Sequence, residues 1–233
     1  MESLIKKYFE KYKIEITQKQ ISQFAKFFNY LITENEKFNL TAITQPDEVV
    51  IKHFIDSVLP LCEIPKNAKV IDVGTGAGFP GIPLKIMRED VDIVLLDSLQ
   101  KRVKFLEEVK ILLGLEKVKC VHSRAEDYVK ENREVFDIAT SRAVASMPTL
   151  SEYLLPYVKV GGRVLMYKGA QAEEEICVSK KAIKIMGGEI ERVEKFTLDE
   201  VESERNIILI KKVSRTNSIY PRGKNLPKTK PVV

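Results

Sequence analysis

The sequence has little of what many catalytic centres are built from. It holds only two histidines, His53 and His122, too few for a histidine-rich metal site, and no metal is expected. Its three cysteines, Cys62, Cys120 and Cys177, stand far apart and form no C-x-x-C pair, which argues against a disulfide framework or a zinc site. They read as reduced, partly buried thiols of a cytoplasmic protein. No apolar run approaches the roughly 18 residues of a membrane span. The segment Met1–Lys7 has no apolar signal core, so nothing in it directs export. Repeats and low-complexity blocks are also missing, apart from a Pro/Lys-rich end.

What is present fits one large domain or a domain with a small extra lobe: 233 residues, 44% of them hydrophobic. The charge is unevenly placed. Seven basic residues (Lys211, Lys212, Arg215, Arg222, Lys224, Lys228 and Lys230) fall in the last 23 positions, which hold no acid. The other 31 basic residues face 33 acidic ones, so the whole positive excess lies at this end. Such asymmetry suggests a phosphate-rich partner, because Lys and Arg gain affinity by releasing counterions from a nucleic acid backbone. Nothing in the charge balance calls for more than a monomer.

Along the chain, residues 1–62 read as a helical cap. Thr17 and Gln20 have capping-box spacing, and Ile21, Phe24, Ala25, Phe28, Leu31 and Ile32 follow at helical intervals. Pro46-Asp47-Glu48 starts another helix that ends near Pro60. From residue 63 to 213 short apolar runs alternate with helical stretches. Strands are expected at 70–73, 92–97, 118–121, 136–140 and 163–167, the last after a turn at Gly161-Gly162. Two further strands, 189–196 and 206–211, have no helix between them and should form an antiparallel edge hairpin. The fold class is α/β: a doubly wound, mostly parallel sheet with a helical N-terminal cap. Residues 214–233 read as a basic tail separable from the domain.

The run Asp72-Val73-Gly74-Thr75-Gly76-Ala77-Gly78-Phe79-Pro80-Gly81 follows the first strand and opens a helix. Ligands of open α/β sheets bind beyond the carboxyl ends of the strands, and glycines let a ligand approach the backbone closely. Residues 76–81 also satisfy G-x-G-x-x-G, so a dinucleotide must be weighed. Asp72, two residues before the first glycine, would repel a pyrophosphate and suits a ligand carrying an ammonium and a sulfonium. Asp97, ending the second strand, can accept from both ribose hydroxyls and serves NAD and S-adenosylmethionine equally. The residues therefore indicate an adenosine ligand and favour the methyl donor.

Several segments together resemble the RsmG (GidB) family, the bacterial small-subunit rRNA guanine-N7 methyltransferases. They are Asn39-Leu40-Thr41, His53–Ser57, Asp72–Pro83, Leu96–Leu99 with Lys101-Arg102, Arg124-Ala125-Glu126, Ser141–Ala145, Lys168-Gly169 and Tyr220-Pro221-Arg222. The resemblance spans roughly residues 30–231. It departs at Asn225, where the family often has glycine, and asparagine is the next residue able to take φ > 0. The resemblance implies a class I S-adenosyl-L-methionine-dependent fold and methylation of guanine N7 at position 527 (standard numbering) of 16S rRNA, free or in the 30S subunit. It implies that Gly74 and Phe79 line the methionine end, Asp97 holds the ribose, and Ala125 and Glu126 frame the adenine. Asp72, Gly76 and Gly78 would complete the loop. Arg142, the candidate catalytic residue, would reach the cofactor or the target base. Lys211, Lys212, Arg215, Tyr220, Arg222, Lys224 and Lys228 would contact RNA, with Tyr220 as a stacking face.

The motifs that are missing agree with such a target. After the fourth strand there is no Asn/Asp-Pro-Pro-aromatic motif of amino-group methylases, and no cysteine has the setting of a carbon-5 methylase nucleophile. N7 has a lone pair and no proton to remove, so no general base is needed. Three other classes share some of these features: a protein or small-molecule methyltransferase, a Rossmann oxidoreductase or regulatory protein, and a non-catalytic RNA-binding module.

Overall fold

The computed structural model describes residues 1–142, 145–198, 201 and 203–233. The N-terminal helices are α1 (Glu2–Lys11), α2 (Gln18–Phe38) and α3 (Pro46–Val49), continued by a π-helical turn Val50–Ile55 and α4 (Asp56–Val58). The capping box at Thr17 and Gln20 forms in both directions. There follow β1 (Lys69–Val73), α5 (Gly81–Met87), β2 (Asp92–Asp97), α6 (Gln100–Leu113), β3 (Val118–His122), α7 (Ala125–Tyr128) and β4 (Phe136–Arg142). The chain continues through α8 (Met147–Leu154), β5 (Val158–Lys168), α9 (Ala172–Ile185), β6 (Gly188–Leu198), β7 (Ser203–Lys212) and α10 (Leu226–Thr229).

The seven strands lie in the order β3-β2-β1-β4-β5-β7-β6. β1 to β5 pair in parallel, and β7 runs antiparallel to both β5 and β6. The sheet is thus the doubly wound, mostly parallel one expected, with the antiparallel hairpin at its edge. Its order reverses between β1 and β4, which is where a crevice opens beyond the strand ends.

Strand residues alternate between two apolar layers, as a period of two requires. Val70, Ile93, Leu95, Ile138, Leu165, Ile207 and Leu209 share a core with α1, α2, the π turn, α5 and α6. Ile71, Val73, Leu96, Ala139, Val164, Met166, Ile208 and Ile210 pack with α8 and α9 on the other face. The N-terminal helices therefore form part of one covering layer. Phe24 and Phe27 of α2 stack with Phe54 of the π turn at ring separations of 4.8 and 5.7 Å, and Phe27 reaches Phe79 of the glycine loop at 5.4 Å.

Three local expectations change. Gly161-Gly162 is no turn ahead of a strand. β5 starts at Val158 and runs through both glycines, with an irregular register against β4. A Cβ on Gly162 would lie 2.5 Å from the Asp137 carbonyl oxygen, so glycine there permits a close strand approach, while Gly161 takes φ +91° with open space around it. Arg142 is the last residue of β4 instead of part of the loop after it. All three cysteines are free, but Cys62 and Cys177 are exposed.

The tight packing around the loop yields a test. A Cβ on Gly81 would lie 2.2 Å from Leu95 Cδ2 and 2.8 Å from Asp72 Oδ2. Gly81→Ala should destabilise the protein by about 1–3 kcal/mol, the usual cost of overpacking, read as a lower urea midpoint at unchanged m-value.

Candidate functional site

The glycine loop is organised from beneath by a carboxylate. Asp72, at 0% exposure, accepts hydrogen bonds at Oδ2 from Thr75 Oγ1 (2.6 Å) and from the Gly81 amide (2.9 Å). Above it, the amides of Gly74 and Thr75 donate to the Leu96 carbonyl of β2 at 2.8 and 3.1 Å. Gly74, Gly76 and Gly78 all have positive φ, and at Gly78 (φ +93°) a Cβ would also meet Ile82 at 2.6 Å. Burial lifts the Asp72 carboxyl to about 7, against the lowering pull of the Thr75 and Gly81 hydrogen bonds and of Arg142. Its Oδ1 is buried without a hydrogen-bond partner among the described residues.

Beside the loop lies a cleft of about 240 Å³, walled by the ends of β1, β2 and β3. Its lining includes Gly74, Asp97, Ser98, Ser123, Arg124, Ala125, Glu126 and Ala145, with Tyr153 of α8 and Asn225 and Lys228 of the C-terminal segment. Asp97 is 3% exposed and already anchored: Oδ2 accepts from the Gly76 amide (2.9 Å) and Oδ1 from the Leu99 amide (2.9 Å), with Arg102 at 3.4 Å. These bonds fix the carboxylate and leave lone pairs for a ligand's hydroxyls. Glu126 is nearly buried and has Arg124 at 3.7 Å.

A second cleft of about 380 Å³ opens at the ends of β4 and β5. It is lined by Ile43, Lys52, His53, Asp56, Arg142, Tyr167, Lys168, Gly169, Glu175 and Arg205, four cations against two carboxylates. Arg142 is held tightly there. Its Nη1 donates to Asp56 Oδ2 (2.7 Å), Ser57 Oγ (3.3 Å) and the Lys52 carbonyl (3.2 Å). Its guanidinium stands 5.1 Å over the Phe79 ring, and Arg205 binds the other oxygen of Asp56 at 3.1 Å. Arg142 Nη2 also lies 3.2 Å from His53 Nδ1, which must accept because a guanidinium only donates. His53 Nε2–H then donates to Thr41 Oγ1 (2.8 Å), and the His53 ring stacks on Phe79 at 4.4 Å. Burial and the Arg142 charge push the imidazole down to about 3, so it is neutral in the fold.

The sequence-derived candidates thus separate. Gly74, Asp97, Ala125 and Glu126 meet in the first cleft. Asp72, Gly76, Gly78 and Phe79 shape the loop and do not line that cleft; Phe79 is 6% exposed within the aromatic cluster. Arg142 belongs to the second cleft, and its neighbours Ala143 and Val144 lie outside the described residues.

Among the basic candidates, Lys211, Arg215, Lys224 and Lys228 are exposed, and Tyr220 is half-buried. Lys212 is not on the surface at all. It is 0% exposed, donates to the carbonyls of Leu155 (2.8 Å) and Met186 (3.0 Å), and has Glu134 at 3.5 Å; burial draws its ammonium down to about 8. Arg222 is committed to the fully buried Glu152 through two side-chain nitrogens and its own amide. Residues that the candidate set missed are Ser98, Ser123, Arg124 and Tyr153 in the first cleft and His53, Asp56 and Arg205 around Arg142. Of these, His53 and Asp56 stand in the His53–Ser57 segment that carries the resemblance; Tyr153 and Arg205 reach their places through tertiary folding alone.

Fold and site define a class I methyltransferase-like α/β protein with a cleft at the topological switch. Similar solved structures include a SAM dependent methyltransferase from Aquifex aeolicus, with a TM-score of 0.55, 18% identity, and coverage of 77% of this chain and 97% of that one. TYW2 of M. jannaschii, in complex with AdoMet, has a TM-score of 0.57 at 14% identity, covering 74% of this chain and 80% of that one. At such identities they show the fold. The family model for rRNA small subunit methyltransferase G matches residues 20–215. Relatives named ribosomal RNA small subunit methyltransferase G include those of Desulfitobacterium hafniense, 47% identical over 96% of this chain and 94% of the relative, and Desulforamulus reducens, 46% identical over 94% and 93%. The chain belongs to the rRNA small subunit methyltransferase G family.

Two outcomes test the site. Asp97→Ala should weaken S-adenosylhomocysteine binding by about 1.5–3 kcal/mol, roughly 10- to 100-fold in Kd, measured by calorimetry; unchanged affinity would remove Asp97 from the site. His53 supplies a pH signature. The unfolded chain protonates it near 6.5 and the fold holds it neutral down to about 3, so its contribution to stability is intact above 6.5 and is lost as pH falls toward 3. His53→Gln should flatten that acid-side fall in thermal midpoint. Asp72 gives the opposite slope, stability falling between about pH 4 and 7, so variant and parent are compared at each pH.

Proposed function

We propose that this chain transfers the methyl group of S-adenosyl-L-methionine to N7 of a guanine in 16S rRNA, presented free or in the 30S subunit, and works as a cytoplasmic monomer. The observation that carries the reading is the pair of neighbouring clefts at one sheet edge, one with adenosine-binding features and one cationic. The residues fit the donor. Asp97 has free lone pairs where ribose hydroxyls would sit, Glu126 stands at the β3 end for the adenine, and Gly74 exposes backbone at the β1 end. A cation above the loop would favour the ionised form of the buried Asp72, whose carboxyl burial lifts to about 7 and whose Oδ1 has no partner among the described residues. When bound, this cofactor supplies an electrophilic methyl on a sulfonium.

The protein's own part is alignment, since N7 is a bare lone pair and no proton has to be taken from it. The second cleft supports an unstacked base beside the methyl donor. Arg142, fixed by Asp56 and His53, presents cationic charge without freedom to swing onto N7, where its N–H would block attack. Its guanidinium, with Lys52, Lys168 and Arg205 in the same cleft, would meet O6 or a flanking phosphate. Lys211, Arg215, Lys224, Lys228 and Lys230 are the exposed cations of the basic C-terminal end that would follow the RNA backbone. Lys212 and Arg222 act within the fold.

Replacing the target guanine by 7-deazaguanine removes only the acceptor nitrogen. Such an RNA should bind with unchanged affinity and take up no labelled methyl group. Methylation of the substituted RNA at the normal rate would rule out N7 as the acceptor.

A further inference from the structure

The basic C-terminal end is folded onto the domain by a set of buried and part-buried bonds. Glu134 accepts from the Thr216 amide at 2.9 Å, and Arg133 donates to the Tyr220 carbonyl. Glu152 of α8, 0% exposed, receives the Arg222 amide (2.7 Å), Nε (2.9 Å) and Nη2 (2.7 Å). Thr149 Oγ1 donates to the carbonyl of buried Pro227 at 2.8 Å. Lys224 and Asn225 then take positive φ values of 55° and 60°, which turn the chain into α10. The outcome is that Asn225 and Lys228 stand in the wall of the cleft that also holds Asp97 and Glu126.

Both side chains are left available to a ligand. Neither has a hydrogen-bond or ion-pair partner among the described residues, whereas Arg124 is drawn to Glu126 and Asp97 is anchored by two amides. The acids of the cleft can only accept from a ligand. An adenosyl amino acid also carries acceptors: ring nitrogens, ribose oxygens and a carboxylate. Lys228 offers three N–H donors, and Asn225 both donates and accepts.

We infer that the C-terminal segment is itself part of the cofactor site, with Asn225 and Lys228 binding the cofactor and Glu152 positioning them through Arg222. The inference rests on the S-adenosylmethionine reading above. It reverses the expectation of a separable tail: removing residues 215–233 would take a wall from the cofactor cleft, not only an RNA contact.

The test is calorimetric titration of the full chain with S-adenosylhomocysteine, for the parent, Asn225→Ala, Lys228→Ala and Lys228→Arg. Lys228 has no partner among the described residues, so its two variants should keep the parent's thermal midpoint without ligand; Asn225→Ala puts alanine at φ +60° and should lower that midpoint somewhat, so its affinity is read well below it. Each alanine variant should bind about three- to tenfold more weakly, as loss of one or two hydrogen bonds predicts, and Lys228→Arg should recover most of the loss. Amides of residues 223–230 should also exchange more slowly with the ligand bound. A parent that binds while both alanine variants bind equally well overturns the inference and leaves the methyltransferase reading standing. A parent that does not bind S-adenosylhomocysteine at all overturns that reading and this inference with it.

Discussion

The buried carboxylate of Asp72 is the constraint on which the site is built. Its Oδ2 ties the glycine loop at both ends of the bend, through Thr75 and through the first amide of α5. A residue with any side chain at 81 would collide with that oxygen and with Leu95. The loop is consequently held against β2, and the Gly76 amide is delivered to Asp97. Two acids at the ends of adjacent strands thus set the loop's shape and the edge of the first cleft together. Asp72 acts by charge and by holding backbone, from a position the ligand cleft does not reach.

The second organising pair is Asp56 and Arg142. Asp56 comes from the N-terminal helices, Arg142 from the end of β4, and Arg205 from β7 binds the same carboxylate. Removing one partner from such a nearly buried pair typically costs 3–5 kcal/mol, because the other charge is left uncompensated. The helical cap is therefore bound to the carboxyl ends of the strands by charge as well as by the Phe24–Phe27–Phe54–Phe79 packing. Its π-helical turn, a geometry frequent at functional sites, sets His53 against both Phe79 and Arg142. A cap that read in sequence as an appendage supplies one wall of the second cleft.

Much of this was legible beforehand because it rests on local rules. The alternation of strands and helices, the capping box at Thr17, the edge hairpin and the glycine loop ending in a helix all follow from periodicity and turn chemistry. Asp97 and Ala125-Glu126 were readable because successive strand ends of a parallel sheet share one edge. What escaped depends on partners distant in sequence. Lys212 looks like a surface charge until Leu155, Met186 and Glu134 fold around it, and Arg222 until Glu152 takes its guanidinium inside. Gly161-Gly162 has the composition of a turn, and only the nearness of the Asp137 carbonyl in β4 shows why position 162 within β5 is a glycine. The same long-range folding brings Asn225 and Lys228 to the first cleft, 99 residues after Glu126 in the case of Asn225.

The central claim is that a chain of this family, with these two clefts, places a methyl group on a ring nitrogen of rRNA. Mapping N7-methylguanine by aniline-induced strand scission, in small-subunit rRNA from cells with and without the protein, tests it most directly. The account predicts that one cleavage site disappears with the protein and returns when it is supplied again. An identical cleavage pattern in the two rRNAs would contradict it.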